Sequence, residues 1–117
     1  MKKRKATTRY AITLTINGYD MNWSYTIRNM GTTIMEGNGI GYSDNRKNKY
    51  LALTRGLQDS SILKHLSRIN VVCDPVISRE LAANRLQTDD QEAISLYDEA
   101  KKLIKRLKKS QTDVVFS

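Results

Sequence analysis

The sequence is poor in the residues that most sharply define a chemistry. Its one cysteine, Cys73, rules out a disulfide within the chain and suits a reducing, cytoplasmic interior. One histidine, His65, joins that cysteine, too few partners for a zinc site of the usual Cys/His type. Glycine is sparse, and Gly37, Gly39 and Gly41 lack the strand-to-helix setting and later glycine of a phosphate-cradling loop, which excludes P-loop and Rossmann readings. No stretch approaches the ~18 apolar residues of a membrane span, and no apolar segment follows the basic start as in a secretory leader.

What is present is a modest core and an uneven charge. At 117 residues and 39% hydrophobic, the chain suits one domain with a single core. Lys and Arg number 20 against 12 Asp and Glu, a net +8. Lys2, Lys3, Arg4, Lys5 and Arg9 crowd the start, and Lys101, Lys102, Lys105, Arg106, Lys108 and Lys109 crowd one late stretch. Those 11 leave nine basic residues against all 12 acids, so the remaining body is slightly acidic. Two local basic patches point to an anionic partner, nucleic acid first among them. Residues 1–7 read as a flexible basic arm and 8–117 as one domain.

The order of elements follows from hydrophobic period. Thr8–Ile16 alternates, with Tyr10, Ile12, Leu14 and Ile16 on one face, and Asn17-Gly18 supplies turn chemistry after it. Trp23–Asn29 alternates again, and Thr32–Glu36 starts a third strand, giving an antiparallel meander. Lys49–His65 has helical spacing through Tyr50, Leu53, Leu57, Ile62, Leu63 and Leu66. Ile69–Cys73 is a short apolar run, as in a buried parallel strand, and Asp74-Pro75 is an N-cap with proline at the first helical position. That helix is expected to reach about Leu86. Another starts at Thr88–Asp90, and Val114–Phe116 forms a last strand. The fold class is α/β: a mixed five-stranded sheet flanked by helices, three antiparallel strands plus two more, in the order β-β-β-α-β-α-α-β.

Three segments in this order resemble the ribonuclease H family. Thr15–Tyr19 (TINGY) stands where that family has a strand ending in Asp-Gly. Ser43–Leu53 (SDNRKNKYLAL) is similar to the start of its first helix, with one extra residue, and Ile69–Ser78 (INVVCDPVIS) to its strand-to-helix segment bearing a metal-binding Asp. The stretch LYDEAKKLIKRLKK resembles its last helix. The resemblance runs from about Thr8 to Ser117 and implies the ribonuclease H-like fold. It also implies an activity, cleavage of the RNA strand of an RNA/DNA hybrid with two divalent ions held by acidic side chains.

The departures fall on those acids. Set against the family pattern, the first acidic position is Asn17, the second is Lys49, the third survives as Asp74, and the fourth lies in the family beyond the last strand. One carboxylate does not hold two magnesium ions, and a lysine in such a place would neutralise Asp74. The resemblance so read implies a protein that is not an enzyme and needs no cofactor. The alternative is a working magnesium- or manganese-dependent nuclease in which Asp20, Glu36 or Asp44 replaces the lost ligands.

Each singled-out residue also has a plain structural role. Asp74 serves as an N-cap, Lys49 as a solvated first-turn residue, Cys73 as core, and His65 as a helix-end residue. Tyr19 and Tyr42, near turns, are the better candidates for base stacking. Six cations within residues 101–109, with no acid among them, repel one another unless an anion relieves them. In the resembling family the Asn-rich turn touches RNA, which adds the segment from Asp44. The reading is therefore a catalytically inactive, ribonuclease H-like protein that binds nucleic acid, RNA or an RNA-containing duplex, through phosphate contacts. The contacts are Asn17, Asn45, Arg46, Lys47, Lys49 and the six cations of the last helix. A protein-interaction or inhibitor module on the same scaffold is the other alternative.

Overall fold

The computed structural model describes residues 8–117; the basic arm at 1–7 lies outside the described residues. The elements are β1 (Tyr10–Tyr19), β2 (Asn22–Asn29), β3 (Thr32–Ile40), α1 (Asn45–Ser60), β4 (Leu66–Val72), α2 (Pro75–Ala82), α3 (Gln91–Lys109) and β5 (Asp113–Phe116). They form one five-stranded sheet in the order β3-β2-β1-β4-β5. β1, β2 and β3 pair antiparallel, whereas β4 pairs parallel with both β1 and β5. The expected class and element order are those observed.

Alternation decides which face is covered. Ile12, Leu14, Ile16, Tyr25, Ile27, Ile69, Val71 and Val114 are buried and pack with Tyr50, Leu53 and Leu57 of α1, Ile77 of α2, and Tyr97, Leu103 and Leu107 of α3. The residues between them, such as Thr13, Thr15, Thr26, Asn70 and Val72, are half-buried or exposed, so the three helices cover one face of the sheet. α1 and α3 run parallel: Lys47 meets Glu92 at their starts, and Ser60 and Leu103 line one recess near their ends.

Several boundaries differ from the sequence reading, each for a local reason. Asn17-Gly18 is not a turn. β1 continues to Tyr19, and the hairpin turns at Asp20-Met21, both left-handed at φ 55 and 63. Such a two-residue turn matches the right-handed twist of the strands it joins. α1 begins at Asn45, four residues before the predicted start, because the Asp44 carboxylate accepts the Arg46 N–H at 2.9 Å. It ends at Ser60, not His65. Ser60 and Ser61 return their hydroxyls to the Gly56 and Gln58 carbonyls, and His65 turns left-handed at φ 66 before β4. Leu66 thus belongs to β4, and Ile62 is exposed. α2 stops at Ala82 instead of Leu86, closed by left-handed Asn84, and α3 starts at Gln91 under an Asp90 cap.

The Asp20-Met21 turn generates a prediction. Left-handed backbone costs an ordinary residue about 1–2 kcal/mol, partly offset in glycine by the entropy it loses on folding. Met21 is exposed. Met21→Gly is therefore expected to stabilise the fold by about 0.5–1 kcal/mol, read as a raised urea midpoint at unchanged slope.

Candidate functional site

The residues singled out by sequence meet at one end of the sheet. In the parallel β1–β4 register the last pair is Thr15 with Val72. Two residues further along each chain stand Asn17, still paired with Ser24 of β2, and Asp74, just past β4, so both lie at the same end of the sheet. The first turn of α1 crosses this end closely. A Cβ placed on Gly18 would lie 2.5 Å from the Lys49 nitrogen and 2.6 Å from the Asn48 carbonyl carbon. Glycine is what lets backbone meet backbone there. The Asn-Gly pair that reads as a turn is in fact a contact.

Asn48 holds the loop leading into α1, and sequence reasoning did not single it out. Its side chain is buried, accepts the Tyr42 N–H at 2.7 Å and donates to the Tyr42 carbonyl at 2.7 Å. Spacing gives no signal for this role, since the bond joins a helix to the loop before it.

Lys49 faces Asp74 directly. Its ammonium donates to Asp74 Oδ2 at 2.7 Å, while Asp74 Oδ1 accepts the Val76 N–H at 2.9 Å. The single carboxylate thus serves as the α2 N-cap and as an ion-pair partner. Both bonds favour the charged form, and the Lys49 contact, the larger cause, holds the carboxyl below its usual range. Next to it, burial and the Asp74 charge push the Cys73 thiol up to about 11, so it is protonated and unreactive near neutral pH.

The other two cations of this turn are also engaged. Lys47, nearly buried, places its ammonium 2.6 Å from Asp90 and 3.2 Å from Glu92, over the Tyr42 ring. The Asp90 bond is the main cause holding Asp90 below its usual range and Lys47 above its own. Arg46 lies 3.3 Å from Glu80, which also accepts the Tyr50 hydroxyl at 2.8 Å. Asn17 and Asn45 are exposed, as is Tyr19, whereas Tyr42 is half-buried.

The cations of α3 stand apart. From Glu92 to Lys101 the helix rises roughly 14 Å, so Lys101, Lys102, Lys105, Arg106, Lys108 and Lys109 occupy its second half. They also divide. Lys101, Lys102, Lys105 and Lys108 line a groove beside α2 and β5, while Arg106 lines a recess with Arg9 and His65.

The donor set at Asn17, Lys49 and Asp74 does not fit a divalent ion as it stands, because the lone carboxylate is already bound to an ammonium. Among the described residues no three acidic, His or Cys side chains group to hold a metal, and Asp20, Glu36 and Asp44 do not assemble one. No described helix is long and apolar enough to cross a membrane.

Two outcomes follow from this geometry. Gly18→Ala forces α1 off β1 and is expected to destabilise the fold by about 1–3 kcal/mol, measured by urea unfolding. The depressed Asp74 carboxyl contributes stability that is present above its ordinary value of 3.8 and is lost as pH falls through the lower folded value. Lys49→Met is expected to shrink that acid-side loss in a series of thermal melts.

No protein-family model matches the chain, and no curated protein sequence does. Solved structures match over nearly its whole length. One is ribonuclease H1 from the halophilic archaeon Halobacterium salinarum NRC-1, with TM-score 0.72 and 15% identity, covering 92% of this chain and 83% of that one. Another is LC11-RNase H1 in complex with an RNA/DNA hybrid, at 0.72 and 18%, covering 91% and 83%. A third is the N-terminal RNase H domain of Rv2228c from Mycobacterium tuberculosis, at 0.69 and 19%, covering 91% and 84%. These comparisons correct the expectation that the chain is not an enzyme. All three neighbours are ribonucleases H by name, and the Lys49–Asp74 contact does not by itself show inactivity. With identities below one-fifth it is the architecture that the likeness establishes: this chain has the ribonuclease H-like fold.

Proposed function

We propose that this protein binds nucleic acid through phosphate contacts, with an RNA/DNA hybrid or other RNA-containing duplex as the preferred ligand. The observation that carries this reading is the shared fold with LC11-RNase H1, a structure in complex with an RNA/DNA hybrid. The net charge of +8 supports it.

Geometry narrows the set of contacts. Arg46 and Lys47 are held by acids from α2 and α3 and would reach a phosphate only by giving up those pairs. Asn17 and Asn45 are exposed, and Lys49 is partly so. They form the contact surface at the end of the sheet, and Arg106 and Lys109 add cations at the far end of α3. No cofactor is needed for such binding.

The ribonuclease H neighbours favour a second reading, metal-dependent cleavage of the RNA strand. It requires the Lys49 ammonium to leave Asp74 and other acids to move in, so no catalytic step is drawn through the present geometry. Incubation of a labelled hybrid with manganese tests it directly. Cleavage that disappears in Asp74→Asn, which keeps the cap acceptor of α2, establishes this reading; an intact hybrid rejects it.

Binding is tested by titrating a fluorescent RNA/DNA hybrid at several salt concentrations. Two to four phosphate contacts lower the affinity roughly 10- to 150-fold between about 50 and 200 mM salt. Arg106→Ala combined with Lys109→Ala is expected to reduce the log–log slope by about 2. No binding at the lowest salt overturns the proposal.

A further inference from the structure

β5 is an edge strand, and beside it α2 and α3 leave an open groove of about 950 Å³. Its floor is apolar, formed by the half-buried side chains of Leu81, Ile104 and Phe116. Its rim is cationic: Arg79 from α2, and Lys102, Lys105 and Lys108 from α3. Lys101 also lines it but is drawn aside to the Asn84 side chain and the Tyr97 ring. Asp98 is the one acid among the lining residues, and none of the four rim cations makes an ion pair among the described residues.

This pattern differs from that at the start of α1, where each cation of the first turn meets a carboxylate. Lys105 and Lys108 are three apart on one helix face, where like charges repel. A phosphate backbone would relieve that repulsion, yet it has no use for an apolar floor. A polypeptide segment with acidic side chains on one face and apolar ones on the other uses both.

We propose that the groove between α2, α3 and β5 docks an acidic amphipathic segment of a partner protein, its apolar side chains against Leu81, Ile104 and Phe116 and its carboxylates on the rim cations. The groove begins at Ser78 and Arg79, about one turn into α2 from Asp74, and runs along α3 towards Lys108. It stands whether or not the protein binds or cleaves a hybrid.

The test uses the full chain and three synthetic peptides of equal length: one with leucines at helical spacing among glutamates, a glutamate-only peptide, and a leucine/glutamine peptide without charge. The Leu/Glu peptide is expected to bind in the micromolar range, each control about tenfold or more weaker. Ile104→Gln changes no charge and replaces a half-buried side chain of the groove floor. It should weaken the Leu/Glu peptide about tenfold while leaving the affinity for an RNA/DNA hybrid unchanged. Lys105→Glu with Lys108→Glu should abolish peptide binding without unfolding the protein, as judged by its circular dichroism. The proposal is overturned if the glutamate-only peptide binds as tightly, if Ile104→Gln has no effect on the Leu/Glu peptide, or if the hybrid displaces that peptide one for one at physiological salt.

Discussion

The arrangement of the candidate site depends on how closely the first turn of α1 lies against the end of β1. Gly18 permits that approach, since any side chain there would strike the backbone of Asn48 and Lys49. The same turn is fixed from its other side by the buried Asn48 amide, which closes on both polar groups of Tyr42. Because α1 is held at this height, Lys49 reaches across to Asp74 at the end of β4. If α1 moved away, that ion pair would part and the end of the sheet shared by Asn17 and Asp74 would lose its third member.

The same few residues also govern how the helices are tied together. The first turn of α1 carries Arg46, Lys47 and Lys49 and no acid, an unfavourable placement at the positive end of a helix dipole. Acids from other elements compensate: Glu80 within α2, Asp74 at its cap, and Asp90 and Glu92 at the start of α3. These cations act as staples between helices, each with a carboxylate in contact. On α3 the cations have no such carboxylate partners among the described residues. Charge of one sign therefore does two jobs in this molecule, and sequence position alone does not tell them apart.

Much of the fold was legible because it rests on local pattern. Alternation in Tyr10–Ile16 and Trp23–Ile27 marked the covered face of the sheet, the apolar run around Val71 marked a parallel strand, and Asp74-Pro75 marked a helix start. The misread places were those where a distant contact overrides a local signal. Asn17-Gly18 carries the strongest short turn signal in the first half, yet its glycine answers to α1 and the turn moved to Asp20-Met21. Leu66 fits the helical period after Leu57 but belongs to β4, because Ser60 and Ser61 end the helix before it.

Sequence by itself determined the element order, the helix start at Asp74-Pro75, and the concentration of positive charge on α3. All three depend on residue identity and spacing, which local chemistry reads directly. Only the tertiary structure decided that Lys49 binds Asp74, that Lys47 and Arg46 are committed to acids, and that the α3 cations frame a separate apolar groove. The first two outcomes depend on distances between residues 25 to 45 positions apart in the chain. Parallel strand pairing and helix packing set such distances, and local pattern marks the faces that pack but not which residues they bring together.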